Sequence, residues 1–196
     1  MTRIIGGTAR GRRLDAPGGR ETRPTASRVK QTLFDVLAPR LSGCRFLDLF
    51  AGSGAVGLEA FSRGATEVVL VESDRRAAVV IRRNAERVSR PGGRVQVRSV
   101  DYRQGLAALA REGRRFDVVF VDPPYASDLY EPALEQLDRL GLLADAATVA
   151  VEHFHKRALQ ATIRGLVRER QVRVGDHMLS FYRPQGFGEA GAGRGD

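Results

Sequence analysis

Asp122-Pro123-Pro124-Tyr125 brings together residue types suited to holding a planar amine. An ionised Asp offers only acceptors, and a carbonyl of the proline pair offers another, so together they can take both hydrogens of an NH2 group. Two prolines fix φ and carry no N–H, which makes the loop stiff and acceptor-rich. The Tyr125 ring presents a flat face on which a base can stack. Asp122, Pro123, Pro124 and Tyr125 are therefore the candidate catalytic residues. The plainer alternative is a turn that merely ends a strand.

A second constellation lies upstream. Leu47-Asp48-Leu49-Phe50-Ala51-Gly52-Ser53-Gly54-Ala55-Val56-Gly57 contains Gly-x-Gly-x-x-Gly. Glycines let a backbone turn tightly and approach a ligand, so Gly52, Ser53 and Gly54 are candidate cofactor contacts, with a helix N-terminus behind them. Glu72 follows 20 residues after Gly52, the spacing at which an acid can bind two ribose hydroxyls. These features fit a nicotinamide dinucleotide as well as another adenosine cofactor. No Tyr-Lys or His hydride-transfer constellation accompanies them, however. His153, His155 and His177 have no zinc-site spacing, although His153 and His155 would alternate on one strand face, and no metal is expected.

The elements that must position these residues follow from hydrophobic pattern. Phe116-Asp117-Val118-Val119-Phe120-Val121 reads as a strand buried on both faces, which places Asp122 at its carboxyl end, where open α/β sheets bind ligands. Strands are predicted at 44–49, 66–72, 94–99, 116–121 and 147–153, with helices near 55–63, 74–88, 103–111 and 129–139. Val29, Leu33, Val36 and Leu37 have the spacing of an amphipathic helix, with Thr25 or Ser27 available as its cap and Pro39 just beyond its end. Val167–Val174 and His177–Arg183, separated by Gly175-Asp176, read as an antiparallel hairpin. The expected class is α/β with a doubly wound, parallel sheet.

The chain has 196 residues, 42% of them hydrophobic, enough for one sizeable core. A formal charge of +9 points to an anionic macromolecule as partner. The charge is concentrated: residues 1–30 carry eight basic residues against two acidic ones, a local +6. Within them, 3–7 and 10–14 are short, Gly-punctuated and basic, predicting a small hairpin that ends near Pro17-Gly18-Gly19. Ile4, Ile5 and Leu14 would pack on the main domain and leave Arg3, Arg10, Arg12, Arg13 and Arg20 outward as RNA phosphate contacts. A flexible arm is the alternative. The predicted organisation is thus a basic hairpin extension at 1–22, a catalytic domain at 23–184 and a disordered tail at 185–196. Cys44 is the only cysteine, so no intramolecular disulfide can form. With no secretory h-region and no apolar run of about 20 residues, a cytoplasmic protein without a membrane role is expected, as a monomer.

The tetrapeptide resembles the Asp/Asn-Pro-Pro-Tyr/Phe motif of amino-methyltransferases, which methylate exocyclic amines with S-adenosylmethionine. Asp48-Leu49-Phe50 resembles the acidic first motif of those enzymes, which implies that Asp48 and Phe50 surround the methionine part of the cofactor and that Asp101 faces the adenine amine. More specifically, Arg3-Ile4-Ile5-Gly6-Gly7, Arg23-Pro24-Thr25 with Arg28 and Thr32-Leu33-Phe34, the Asp48–Gly54 run with Gly57-Leu58-Glu59-Ala60, and the Asp122 tetrapeptide resemble the RsmD family of bacterial 16S ribosomal RNA guanine-N2 methyltransferases. The resemblance spans residues 3–183. It implies a Rossmann-like class I S-adenosylmethionine-dependent methyltransferase fold, with a mostly parallel seven-stranded sheet and an antiparallel C-terminal strand. It also implies cofactor contacts at Arg23 and Thr25, and 16S rRNA as substrate, within a partly assembled small subunit whose ribosomal proteins share in recognition. Where the family often continues Leu-Phe-Asn-Trp, this chain has Leu33-Phe34-Asp35-Val36 and no Trp. A DNA adenine-N6 or cytosine-N4 methyltransferase would use the same loop, although no larger target-recognition region is visible. A non-catalytic RNA-binding assembly factor is the reading from another class.

Overall fold

Short β-branched runs alternating with amphipathic segments sort the chain into a sheet covered on both faces. The computed structural model describes residues 2–19, 24–124 and 127–186. Two stubs, β1 (Thr2–Arg3) and β2 (Arg13–Leu14), pair antiparallel outside the main sheet. Helix α1 (Pro24–Leu41) leads into β3 (Arg45–Asp48), α2 (Ala55–Ser62), β4 (Glu67–Val71), α3 (Arg75–Val88), β5 (Arg94–Arg98), α4 (Tyr102–Arg111), β6 (Phe116–Val121) and α5 (Tyr130–Arg139). Then come β7 (Leu143–Phe154), β8 (Thr162–Ile163), β9 (Leu166–Val174) and β10 (His177–Pro184).

The sheet order is β5-β4-β3-β6-β7-β10-β9-β8. The first five strands in that order are parallel, and β10 runs antiparallel between β7 and β9. From β3 the chain winds outward to β4 and β5, then returns to place β6 on the other side of β3. That reversal opens a crevice at the carboxyl ends of β3 and β6. One sheet face buries Phe46, Leu70, Phe120 and Phe181; the other buries Leu47, Val69, Val121 and Val151. Burial on both faces is why these strands read as unbroken apolar runs.

The seven expected strands are present, with the two-residue β8 added at the edge. Three local expectations are corrected. Helix α1 already includes Pro24, so Thr25 and Ser27 lie inside its first turn and not at a cap. A first-turn proline loses nothing through its missing N–H, which has no intrahelical partner there. Pro39 sits within the last turn, and the helix continues to Leu41. Third, β7 ends at Phe154, so His155 is off the strand. His153 is buried, its ring 2.8 Å from Ser180 Oγ. Residues 187–196, most of the expected tail, lie outside the described residues.

The N-terminal arm is docked. Ile4 and Leu14 are fully buried against Val29 and Leu33, while Ile5 is only partly buried. Glu59 on α2, itself fully buried, accepts hydrogen bonds from the Ile5 and Gly6 amides at 2.8 Å each. Gly7 has φ +75°, and a Cβ there would fall 1.9 Å from the Ser62 carbonyl oxygen, so only glycine permits the approach. The Thr8 amide then donates to that same oxygen at 2.8 Å.

Candidate active site

The strand ends assemble the site on one face of the sheet. Val121 of β6 lies opposite Val151 of β7, so Asp122, just past the end of β6, lies beside Glu152 in the last residues of β7. Asp48 ends β3, one strand further over, with its own register partner at Phe120. On the other flank, Glu152 pairs in register with Leu179 of β10, which sets His177 diagonally across from it. The His177 Nδ1 is 2.7 Å from Glu152 Oε1. Four adjacent strands thus present Asp48, Asp122, Glu152 and His177 in a row.

Two cavities meet at this row, sharing Phe50, Gly52 and Asp122 in their walls. One, of about 360 Å³, runs past Glu72, Val100, Asp101, Tyr102 and Pro123. The other, of about 270 Å³, is bounded by Asp48, Glu152 and His177 on the sheet side and by Thr2, Arg3 and Lys30 opposite.

The glycine loop is held in place before any ligand arrives. Gly54 has φ +77° and stands at the N-terminus of α2 with no side-chain cap. Asp48 Oδ2 accepts from the Gly57 amide at 2.9 Å. Glu72 accepts from Gly52 N at 2.7 Å and Asp74 N at 2.8 Å, which aims it into the larger cavity. Asn84 donates to the Ser53 and Asp15 carbonyls and so ties the loop to the arm. Asp101 caps α4, accepting from Arg103 N at 2.9 Å. Below the active-site loop, Pro124 O accepts from both the amide and the hydroxyl of Ser127, at 2.8 and 2.6 Å.

The electrostatics single out a cation. Burial pushes Asp122 well above the usual carboxylate range, and the charges of Glu152 and Asp48 push it further. Burial also raises Glu152, with His177 opposing. Asp48 is pushed up to about 7 by burial, partly offset by the Gly57 amide. No Lys, Arg or His is among the described residues of the larger cavity, so it suits a neutral nucleoside better than a pyrophosphate. Tyr102, 5.2 Å from the Phe50 ring, carries a buried hydroxyl without a hydrogen-bond partner among the described residues, and so does Thr2. These orphaned groups and the acid row fit an adenosine bearing a positively charged tail.

Asp48 yields a stability test. The native state keeps its proton up to about pH 7, whereas an unfolded chain loses it near the ordinary value of 3.8. The contribution is therefore increasingly destabilising as pH rises through that window and levels off above it. Asp48→Asn removes it while still accepting from Gly57. Urea unfolding should show the variant gaining on the parent between pH 4 and 8, by an amount on the order of 4 kcal/mol at most. A difference that stays flat with pH would mean the carboxylate is solvated.

Of the expected site residues, Asp48, Phe50, Gly52, Ser53, Glu72, Asp101, Asp122, Pro123 and Pro124 line the two cavities, and Gly54 supports the loop. Arg20, Arg23 and Tyr125 lie outside the described residues, as does the Thr25 side chain. Arg3, Arg10, Arg12 and Arg13 are exposed, and Arg3 also lines the smaller cavity. Sequence reasoning missed Glu152, His177, Lys30, Tyr102 and Asn84. Glu152 had a readable signal, because it follows Val149-Ala150-Val151 as Asp122 follows Val119-Phe120-Val121.

Comparison with known proteins agrees with this geometry. The model of the family described as Conserved hypothetical protein 95 matches residues 2–183. Ribosomal RNA small subunit methyltransferase D of Escherichia coli K12 is 37% identical over 190 residues, 97% of this chain and 93% of that protein. The solved structure of the Escherichia coli protein yhhF superposes with a TM-score of 0.81 at 34% identity, covering 93% of this chain and 97% of that one. At 17% identity, an S-adenosylmethionine-dependent methyltransferase from Agrobacterium tumefaciens shares the fold alone, with a TM-score of 0.62 over 83% of this chain and 63% of that one. An arm, a glycine loop and a Pro-Pro loop in this arrangement, matched over nearly the whole chain, place it in the RsmD family, the family described as Conserved hypothetical protein 95.

Proposed function

We propose that this chain transfers a methyl group from S-adenosylmethionine to the exocyclic N2 amine of a loop guanine in 16S rRNA, within a partly assembled small subunit. The observation that carries the reading is Asp122, an acceptor at the point where the adenosine-sized cavity meets the smaller cavity lined by Asp48, Glu152 and His177. When bound, the cofactor supplies an electrophilic methyl on a sulfonium. Glu72 would hold its ribose, Asp101 and Tyr102 would flank the adenine, and Asp48 with the Gly52–Gly54 loop would surround the methionine part.

The protein's task is to make a weak nucleophile point the right way. A guanine N2 lone pair is delocalised into the ring, so acceptors on both amine hydrogens help it towards tetrahedral geometry. Asp122 and the Pro123 carbonyl are the two acceptors in this reading. The Pro124 carbonyl already serves Ser127. Tyr125 stacks on the unstacked base, and positioning contributes much of the rate. A loop base can be presented edge-first more readily than one in a helix.

The decisive experiment supplies labelled S-adenosylmethionine to small subunits from a strain lacking this protein, followed by nucleoside analysis. N2-methylguanosine at one loop position is expected. Label in duplex DNA but not in rRNA would replace the substrate, and cofactor binding without transfer to either would favour the assembly-factor reading.

The exposed arginines of the arm supply the phosphate contacts. Arg12→Ala with Arg13→Ala should weaken RNA binding and flatten its salt dependence by about one unit of slope, or slightly less, for each phosphate no longer neutralised. S-adenosylmethionine affinity should not change. An unaltered slope would place the RNA backbone elsewhere.

A further inference from the structure

The amine-holding reading uses Asp122 and leaves its neighbour without a task. Glu152 is mostly buried, its side chain 13% exposed, yet it lines the same cavity as Asp122 and is gripped by His177 at 2.7 Å. A second buried carboxylate beside the first is costly unless it is used. Thr2, only 8% exposed and with its hydroxyl unpartnered among the described residues, lines this cavity too, which marks it as a place for a ligand.

We propose that Glu152, oriented by His177, is the proton-accepting partner of Asp122: the two carboxylates share a proton before the cofactor binds, the arriving sulfonium expels it, and the pair recovers a proton from the substrate amine after methyl transfer. This rests on the function proposed above. The balance closes. As the N–C bond forms and the C–S bond breaks, the positive charge leaves sulfur and appears on the amine nitrogen. The carboxylate pair loses its counter-charge just as the amine acquires a proton to lose, so the proton moves to Asp122 and is shared with Glu152. Product exchange for fresh cofactor expels it to water. The raised proton affinities of both acids fit this cycle. The groups facing the pair are Asp48 from β3, His177 from β10, the Tyr130 hydroxyl from α5, and Lys30 and Arg3 from the opposite wall. Glu152 acts through Asp122 and His177 acts through Glu152, so both are positioning residues.

Calorimetry in two buffers of different ionisation enthalpy counts protons without any RNA. At pH 7, S-adenosylmethionine should release more protons than S-adenosylhomocysteine, whose sulfur is neutral, and the difference should shrink in Glu152→Gln. Asp48 lines the same cavity and its charge acts on Asp122, so parent and variant are compared in an Asp48→Asn background, which leaves the pair as the proton source. Glu152→Gln should also lower single-turnover transfer by about 100-fold with little change in KM for RNA, and its low-pH limb should shift to lower pH because Asp122 loses a like charge. His177→Gln should move the limb the other way, and S-adenosylhomocysteine binding by both variants verifies their folding. Proton counts and pH limbs identical to the parent would overturn the pair. A parent protein that releases the proton yet labels no RNA would overturn the guanine reading and support the pair.

Discussion

Replacing Asp122 with alanine is expected to lower methyl transfer about a thousandfold while S-adenosylmethionine still binds. The reason is the place of the side chain. It directly follows β6 at the meeting point of the two cavities, so in the proposed function it touches the acceptor amine, while the nucleoside is proposed to rest mainly on Glu72 and Asp101. Losing one well-placed electrostatic partner in a desolvated site typically costs 100- to 1,000-fold, and in the proposed mechanism the same residue also begins proton removal. Cofactor affinity should fall modestly, because one of the three acids that line the smaller cavity and are proposed to face the sulfonium is gone. Single-turnover transfer of labelled methyl, with calorimetry of cofactor binding, separates the effects. Normal turnover would exclude Asp122 from the chemistry, and equal loss of binding and transfer would make it a cofactor residue.

Glu59→Ala is expected to destabilise the protein by about 3–5 kcal/mol, because it removes the counter-charge of buried Lys30, leaving it only the Arg3 carbonyl, and strands two backbone amides. The fully buried Glu59 carboxylate receives Ile5 N, Gly6 N and Arg63 Nε at 2.8 Å each, with Lys30 Nζ at 3.2 Å. Lys30 is only 7% exposed, and its burial already lowers its pKa. Thermal unfolding should fall by about 10 °C, given a few degrees per kcal/mol in a domain of this size. Limited trypsin digestion should then cut at Arg10 or Arg12 while the sheet stays intact. Glu59→Gln keeps an acceptor and should lose less. An unchanged midpoint with a protected arm would mean that Ile4 and Leu14 hold the arm unaided.

That network changes how the arm should be probed. Removing residues 1–20 takes away Ile4 and Leu14, uncovers Val29 and Leu33, and leaves Glu59 without its amide partners. Such a truncation tests folding as much as RNA binding. Substituting the exposed Arg12 and Arg13 tests the proposed RNA contacts without that cost.

The strand-helix alternation was legible in the sequence because strands buried on both faces must be apolar throughout. So was the place of Asp122, since an acid directly after such a run lies at a strand's carboxyl end. The start of α1 was not, because a proline can open a helix as readily as precede one, and packing of Val29 and Leu33 selects between them. The roles of Glu59 and Glu152 were not legible for a related reason. A lone acid in sequence looks solvated, and only the surrounding chain reveals that it is buried and partnered.

By itself, the sequence determined which segments become strands, which acids and glycines stand at their ends, and where positive charge gathers, because these depend on local periodicity and composition. Only the tertiary structure decided that Asp48, Asp122, Glu152 and His177 form one row. They come from four strands whose adjacency and register are set by long-range pairing, and a one-residue slip between β7 and β10 would turn His177 to the other face.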